Sequence, residues 1–254
     1  MKPDAYMLSV KTRQCRAYVR LNGVPFFEAD LDRPRDFGEV VTMWVMPGTN
    51  RLDVAFAVAP NNERTNTSVS LEILRVPDAV GQKEAPRVLE FAWPPRDVRE
   101  LVPFYHIFEF PGPELSPCRL WTEAAPLYLD ASSTNEVTAI AEQLHRTFAA
   151  RDHQRLADAM AYRGRDIALC LGMTEDAGER SQKSFFKTIM THPDFRAVPW
   201  DPEAFEATLV AGDRVVWLHR KSKKLNETLL LENNHGQGMD AFVAKIAGKW
   251  QVVR

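Results

Sequence analysis

The periodicity of the apolar residues changes near residue 130, and that change restricts the folds open to the chain. Before it, short β-rich runs are broken by turn residues; after it, apolar residues recur at helical spacing and then return to strands. The chain thus reads as α+β, with an all-β part followed by a mixed part.

In the first part, Cys15–Leu21 and Val24–Glu28 are joined by Asn22-Gly23, a pair that accepts the positive φ angles of a tight hairpin. Pro47-Gly48-Thr49-Asn50 suits a type II turn between the β-like runs Val40–Met46 and Leu52–Val58. Ser68–Val76 alternates, and Val88–Trp93 and Tyr105–Phe110 extend the pattern. Many short strands without a helix predict an N-terminal β-sandwich. Prolines at 94, 95, 103, 111, 113, 117 and 126 mark a stiff connecting segment, which places a domain of residues 1–130 before one of residues 131–254. The Asn22-Gly23-Val24 turn and the later P-G-T-N-R-L-D-V segment resemble small β-sandwich accessory modules. Such modules bind sugars in some families and are spacers or interfaces in others.

In the second part, Ser132-Ser133-Thr134 offer capping hydroxyls, and Val137, Ile140, Ala141, Leu144 and Phe148 predict a helix to about Ala150. Asp152 caps a second helix with Leu156 and Met160 inward, and a third runs from about Gly178 to Met190. Arg163–Leu171 fits no single pattern. Strands follow at Phe205–Val210, Arg214–Arg220, Thr228–Asn233, Met239–Ile246 and Trp250–Val253, with Gly-bearing connections. Three helices before an antiparallel meander, from about Asn135 to Arg254, resemble the nuclear transport factor 2-like (SnoaL-type) superfamily. The resemblance implies a cone-shaped α+β domain, with three helices packed on a curved antiparallel sheet around a pocket. Members include isomerases, dehydratases and hydrolases as well as domains that only bind or dimerise, so the resemblance selects no chemistry.

Composition excludes several classes. Net charge is −2, which argues against a nucleic-acid binder, and no apolar run approaches a membrane span. The N-terminal residues lack the apolar core of a signal peptide, so a cytoplasmic protein is expected. Arg outnumbers Lys 22 to 10, a bias of GC-rich bacterial genomes. Three scattered cysteines, Cys15, Cys118 and Cys170, are expected as reduced, buried thiols. No cofactor is indicated, and no metal: the single Glu142-x-x-His145 lacks the second copy a di-metal site needs.

The candidate chemistry lies in the second part. Period-two spacing puts Trp217 and His219 on one strand face, where Glu232 and Asp240 on neighbouring strands would charge or orient an imidazole acting as general base. Trp217 would be the flat wall of a ligand pocket. Tyr162, Arg163, Arg165 and Asp166 form a second set: Tyr162 and Asp166 are suited as hydrogen-bond donor and base, Arg163 and Arg165 instead to hold a carboxylate or phosphate, or the stretch is simply a loop with an internal Arg–Asp pair. The run His219–Lys224 is basic and reads as a solvated hairpin loop; His235-Gly236-Gln237-Gly238 reads as a turn. Thr228–Leu231 is apolar on both faces and the Val216 strand nearly so, which predicts a covered outer face with Val216, Leu230 and Leu231 at an interface. The sequence therefore favours a non-catalytic binding or protein-interaction role, with a protein partner or homodimer, recognition by the β part or the interdomain surface, and room for a small apolar ligand. The alternative is a small-molecule acid–base enzyme of isomerase, dehydratase or hydrolase type using the C-terminal pocket.

Overall fold

The structure, a computed structural model, describes residues 3–29, 34–58, 67–77, 84–94, 103–221, 228–232 and 238–254. Helices and antiparallel sheets are both present, and the chain divides into two compact units, Met1–Ser116 and Pro117–Arg254. The division falls ahead of the expected boundary at 130, and the proline-bearing segment from Pro117 goes with the second unit.

Among its described residues the first unit holds eight strands: β1 (Ala5–Arg13), β2 (Cys15–Leu21), β3 (Val24–Ala29), β4 (Arg35–Val40), β5 (Thr49–Val58), β6 (Ser68–Val76), β7 (Arg87–Trp93) and β8 (Phe104–Pro111). They form two four-stranded sheets, ordered β4-β1-β6-β7 and β3-β2-β5-β8. Every pairing is antiparallel. Aromatic rings join the sheets: Phe56 and Phe104 of one stack with Phe91 of the other at 5.9 and 5.2 Å between centroids. The expected turns are in place. Asn22 and Gly23 have φ of 52° and 84°, and Gly48 has φ of 83°. The two turns are tied by a buried amide pair. Asn22 Nδ2 donates to Trp44 O and Asn50 Oδ1, and Asn50 Oδ1 also accepts from Met46 N, each at 2.8 Å.

Two expectations in this unit need correction. Ala5–Arg13, absent from the expected strands, is a strand whose Tyr6, Leu8, Val10 and Thr12 alternate inward. Val40–Met46 is not one strand. β4 ends at Val40 and a 3₁₀ turn follows at Thr42–Trp44, where Thr42 Oγ1 accepts a 2.8 Å bond from Tyr6 N on β1.

The second unit runs α1 (Leu120–Glu123), α2 (Ala131–Ala149), α3 (His153–Ala159), α4 (Ala161–Cys170) and α5 (Glu175–Thr191) before the strands. Asp130, rather than the serines after it, caps α2, accepting from Ser133 N at 2.7 Å. Such a cap contributes about 1 kcal/mol. Val137, Ala141, Leu144 and Phe148 form its buried stripe. The ambiguous Arg163–Leu171 segment is almost wholly helix α4, so there is one more long helical segment than expected. Thr174 caps α5, whose Gly178, Gln182, Phe186 and Met190 face inward at four-residue spacing.

Strands β9 (Phe205–Val210), β10 (Val215–Arg220), β13 (Ala241–Ile246) and β14 (Lys249–Val252) form an antiparallel sheet ordered β14-β13-β10-β9, with β11 (Leu231–Glu232) and β12 (Gly238–Met239) as a separate pair. The core between helices and sheet gathers Phe148, Leu156, Phe186 and Met190 with Val216, Leu218, Leu230 and Val243. Burying each such side chain contributes about 1.5–3 kcal/mol. No helix among the described residues is long and apolar enough to cross a membrane.

Candidate functional site

The alternation along β10 decides where its polar side chains sit. Val216 and Leu218 enter the core shared with the helices, which leaves Trp217 and His219 on the opposite face of the sheet. In register, Trp217 lies between Thr208 on β9 and Phe242 on β13, and His219 lies opposite Glu206. The structure therefore brings Trp217, His219 and Asp240 together, but away from the helix-covered face where a cone pocket would lie. Val216 and Leu230 are fully buried in that core, which corrects their reading as interface residues. The reason is that both faces of these strands are apolar, so composition alone gave no preference for one side. Glu232 and Leu231 occupy β11, but their side chains lie outside the described residues, as do Ser222–Lys224 of the basic run and His235–Gln237.

The geometry of this cluster is that of satisfied groups. The Asp240 carboxylate meets the indole rather than the imidazole: Trp217 Nε1 donates to Oδ2 at 2.9 Å, and Leu229 N donates to Oδ1 at 2.7 Å. His219 stacks on Trp217 with centroids 3.7 Å apart. Its Nδ1 lies 2.8 Å from the Arg220 carbonyl oxygen, which can only accept, so Nδ1 carries the proton. Nε2 lies within hydrogen-bonding distance of Thr208 Oγ1, at 2.9 Å. An imidazole so held must lose Thr208 before it can take a substrate proton.

Burial raises the Asp240 carboxyl to about 6, against the lowering effect of its two hydrogen bonds. Unfolded, the group titrates near 4. Between about pH 4 and 6 the folded chain holds a proton that the unfolded chain has released, so this group's contribution to stability falls as pH rises and is least favourable above 6. The gap corresponds to about 3 kcal/mol. Urea unfolding at a series of pH values is expected to show Asp240→Asn gaining on the parent by up to about that amount from pH 4 to 7. A constant difference between the two would contradict the burial of this carboxylate.

The second predicted set lies on α4, not in a loop, and its members do not converge on one ligand. Tyr162 and Asp166, one turn apart, face inward. The Tyr162 hydroxyl donates to Glu123 Oε2 at 3.0 Å, and burial, then Asp166 and Glu123, raise its pKa. Asp166 accepts from Arg119 N and Leu120 N at 2.5 and 3.3 Å and holds the buried Arg254 guanidinium at 2.8 Å. Arg165 pairs with Glu179 at 2.9 Å. Arg163 donates to the Gln182 side-chain oxygen at 3.2 Å.

A surface not anticipated from the sequence lies between α4 and α5. The helices meet at Gly178, where a Cβ would collide with the Gly164 carbonyl oxygen and the Ala168 methyl. Beside this contact runs a groove of about 190 Å³ lined by Arg163, Ile167, Leu171, Met173, Gln182 and Phe185, among others. Leu171, Met173 and Phe185 are 42, 44 and 43% exposed, unusual for large apolar side chains grouped at one place. The sequence carries this surface as Gly178, Ser181, Gln182 and Phe185 at i, i+3, i+4 and i+7.

Two of the cysteines also depart from expectation: Cys118 and Cys170 form a disulfide across a separation of 52 residues, whereas Cys15 is the expected buried free thiol, whose pKa burial raises. Asp166 lies close to both bonded sulfurs. With the sulfurs joined and both carboxylate oxygens engaged, that trio offers no ready ligand set for a metal. Glu142 and His145 part company, the former pairing with Arg146 and the latter donating from Nε2 to the Val198 carbonyl. No protein family, curated protein or solved structure matches the chain.

Proposed function

We propose that this chain is a non-catalytic binding protein and that the α4–α5 groove is its recognition surface, receiving an apolar segment of a protein partner. The observation that carries this reading is the grouping of Leu171, Met173 and Phe185, each more than 40% exposed, along a groove formed by two packed helices and the turn between them. The groove lies in the second unit, whereas the sequence points to the β part or the interdomain surface for recognition. We also propose a β-sandwich for the first unit, supported by its two four-stranded antiparallel sheets, and a nuclear transport factor 2-like domain for the second, supported by helices preceding a four-stranded antiparallel sheet. A homodimer through the sheet loses Val216 and Leu230 as its supports, since both are core.

The acid–base enzyme reading rests on one observation, the raised Asp240 carboxyl, because displaced titrations concentrate at active sites. Against it, both Asp240 oxygens and both His219 nitrogens are bonded within the chain. The compartment is drawn two ways: the sequence favours the cytoplasm, whereas a lasting Cys118–Cys170 bond favours an oxidising location.

A phage-displayed library of random 12-residue peptides tests the binding reading. Peptides recovered on the native chain are expected to lose at least about tenfold in affinity on Leu171→Asp, a loss of about 1.4 kcal/mol or more, and to bind His219→Ala unchanged. Recovery of no peptide, or equal binding to Leu171→Asp, would defeat the groove reading. Native mass spectrometry of protein purified from its own host shows whether a small apolar ligand occupies the groove instead.

A further inference from the structure

The groove contains one charged side chain whose bonding differs from that of the cations around it. Arg119 pairs with Glu175, Arg165 with Glu179 and Arg254 with Asp166. Arg163 makes its hydrogen bond to the neutral amide of Gln182, and among the described residues no carboxylate is paired with it. A guanidinium presents five N–H donors in a planar fork, and one amide oxygen engages one of them. Burial, followed by repulsion from Arg254, pushes Arg163 down to about 10, the direction expected of a cation without a counter-charge.

We propose, resting on the groove reading above, that the partner segment is apolar and acidic together, with Arg163 receiving its carboxylate while Ile167, Leu171, Met173 and Phe185 receive its apolar side chains. A carboxylate is the acceptor that matches the guanidinium fork with two parallel bonds, and such charge-assisted bonds are shorter and stronger than neutral ones. Because apolar walls exclude water from around the pair, salt screens it less than a pair on open surface. The charge also gives the groove selectivity: a lysine-bearing apolar segment placed there meets like charge, while an uncharged one leaves the fork without its match. Arg163 is thus a specificity residue, and the apolar residues supply contact area for any segment of suitable shape.

The same displayed library separates this inference from the reading beneath it. Peptides selected on the native chain are expected to combine large apolar residues with at least one Asp or Glu. A synthetic peptide taken from that pool is expected to lose about tenfold in affinity when its acid is changed to the corresponding amide. On Arg163→Gln that change is expected to cost nothing, and Arg163→Lys restores part of the preference, since it keeps the charge but not the fork. Circular dichroism of each variant confirms that the comparison is made on folded chains, and Arg163→Lys carries the test if Arg163→Gln does not fold. Enrichment of apolar peptides without acid, or an acid-to-amide loss that is the same with and without Arg163, overturns the inference and leaves the groove reading standing. Failure to enrich any peptide, or enrichment indifferent to Leu171→Asp, overturns both.

Discussion

Asp166→Ala is expected to destabilise the second unit by about 3–5 kcal/mol, because it removes the carboxylate paired with the buried Arg254 guanidinium. Arg254 and Asp166 are 3 and 1% exposed at their side chains, so water does not replace the lost partner. The same substitution removes the acceptor used by Arg119 N and Leu120 N, leaving backbone donors near the start of α1 unmatched. Chemical denaturation followed by circular dichroism measures the loss. A change below about 1 kcal/mol would show that Asp166 does not anchor this region, since that is the range of a surface pair. Asp166→Asn is a useful companion, because it keeps one acceptor oxygen and removes the charge.

Breaking the Cys118–Cys170 bond is expected to have an effect of similar size. Closing a loop of 52 residues in the unfolded chain accounts for about 4 kcal/mol in the chain-entropy description. The double variant Cys118→Ser, Cys170→Ser, or the native chain under reductant, is therefore expected to unfold at markedly lower urea. Unfolding curves that coincide with and without reductant would show that the bond contributes nothing to stability. The two effects are not expected to add. Cys118, Arg119 and Leu120 are consecutive, and the disulfide and Asp166 fasten that stretch to one helix, α4, from adjacent turns. Loss of one attachment leaves the other to hold the segment, so the triple variant reads out their coupling.

How far the sequence foretold this structure depends on whether the deciding interaction is local. The hairpin at Asn22-Gly23 and the turn at Gly48 were legible because positive φ is a property of those residues themselves. Helix α2 and strands β9, β10 and β13 were legible from spacing, which is again local. The turn at Thr42–Trp44 was not, because a β-branched run is diverted there by a bond to Tyr6, far away in sequence. α4 was ambiguous because Gly164 and three charged residues weaken its pattern, and packing of Gly164 and Ala168 against α5 stabilises it instead. At the candidate site, strand parity correctly paired Trp217 and His219 on one face. It did not say which face lies under the helices, because Val215 and Trp217 look as buriable as Val216 and Leu218. The Cys118–Cys170 bond has no local signature.

Gly178 has a consequence for how the groove would work as a receptor. Because it has no side chain, α5 lies directly against the Gly164 carbonyl, and the groove is lined by residues of α4 and α5 together with Leu171 and Met173 of the short turn that joins them. The rotational freedom of those walls is given up when the chain folds, before any partner arrives. Binding there then orders mainly the incoming segment, and differences among partners are carried by how long each stays rather than by how quickly each is admitted.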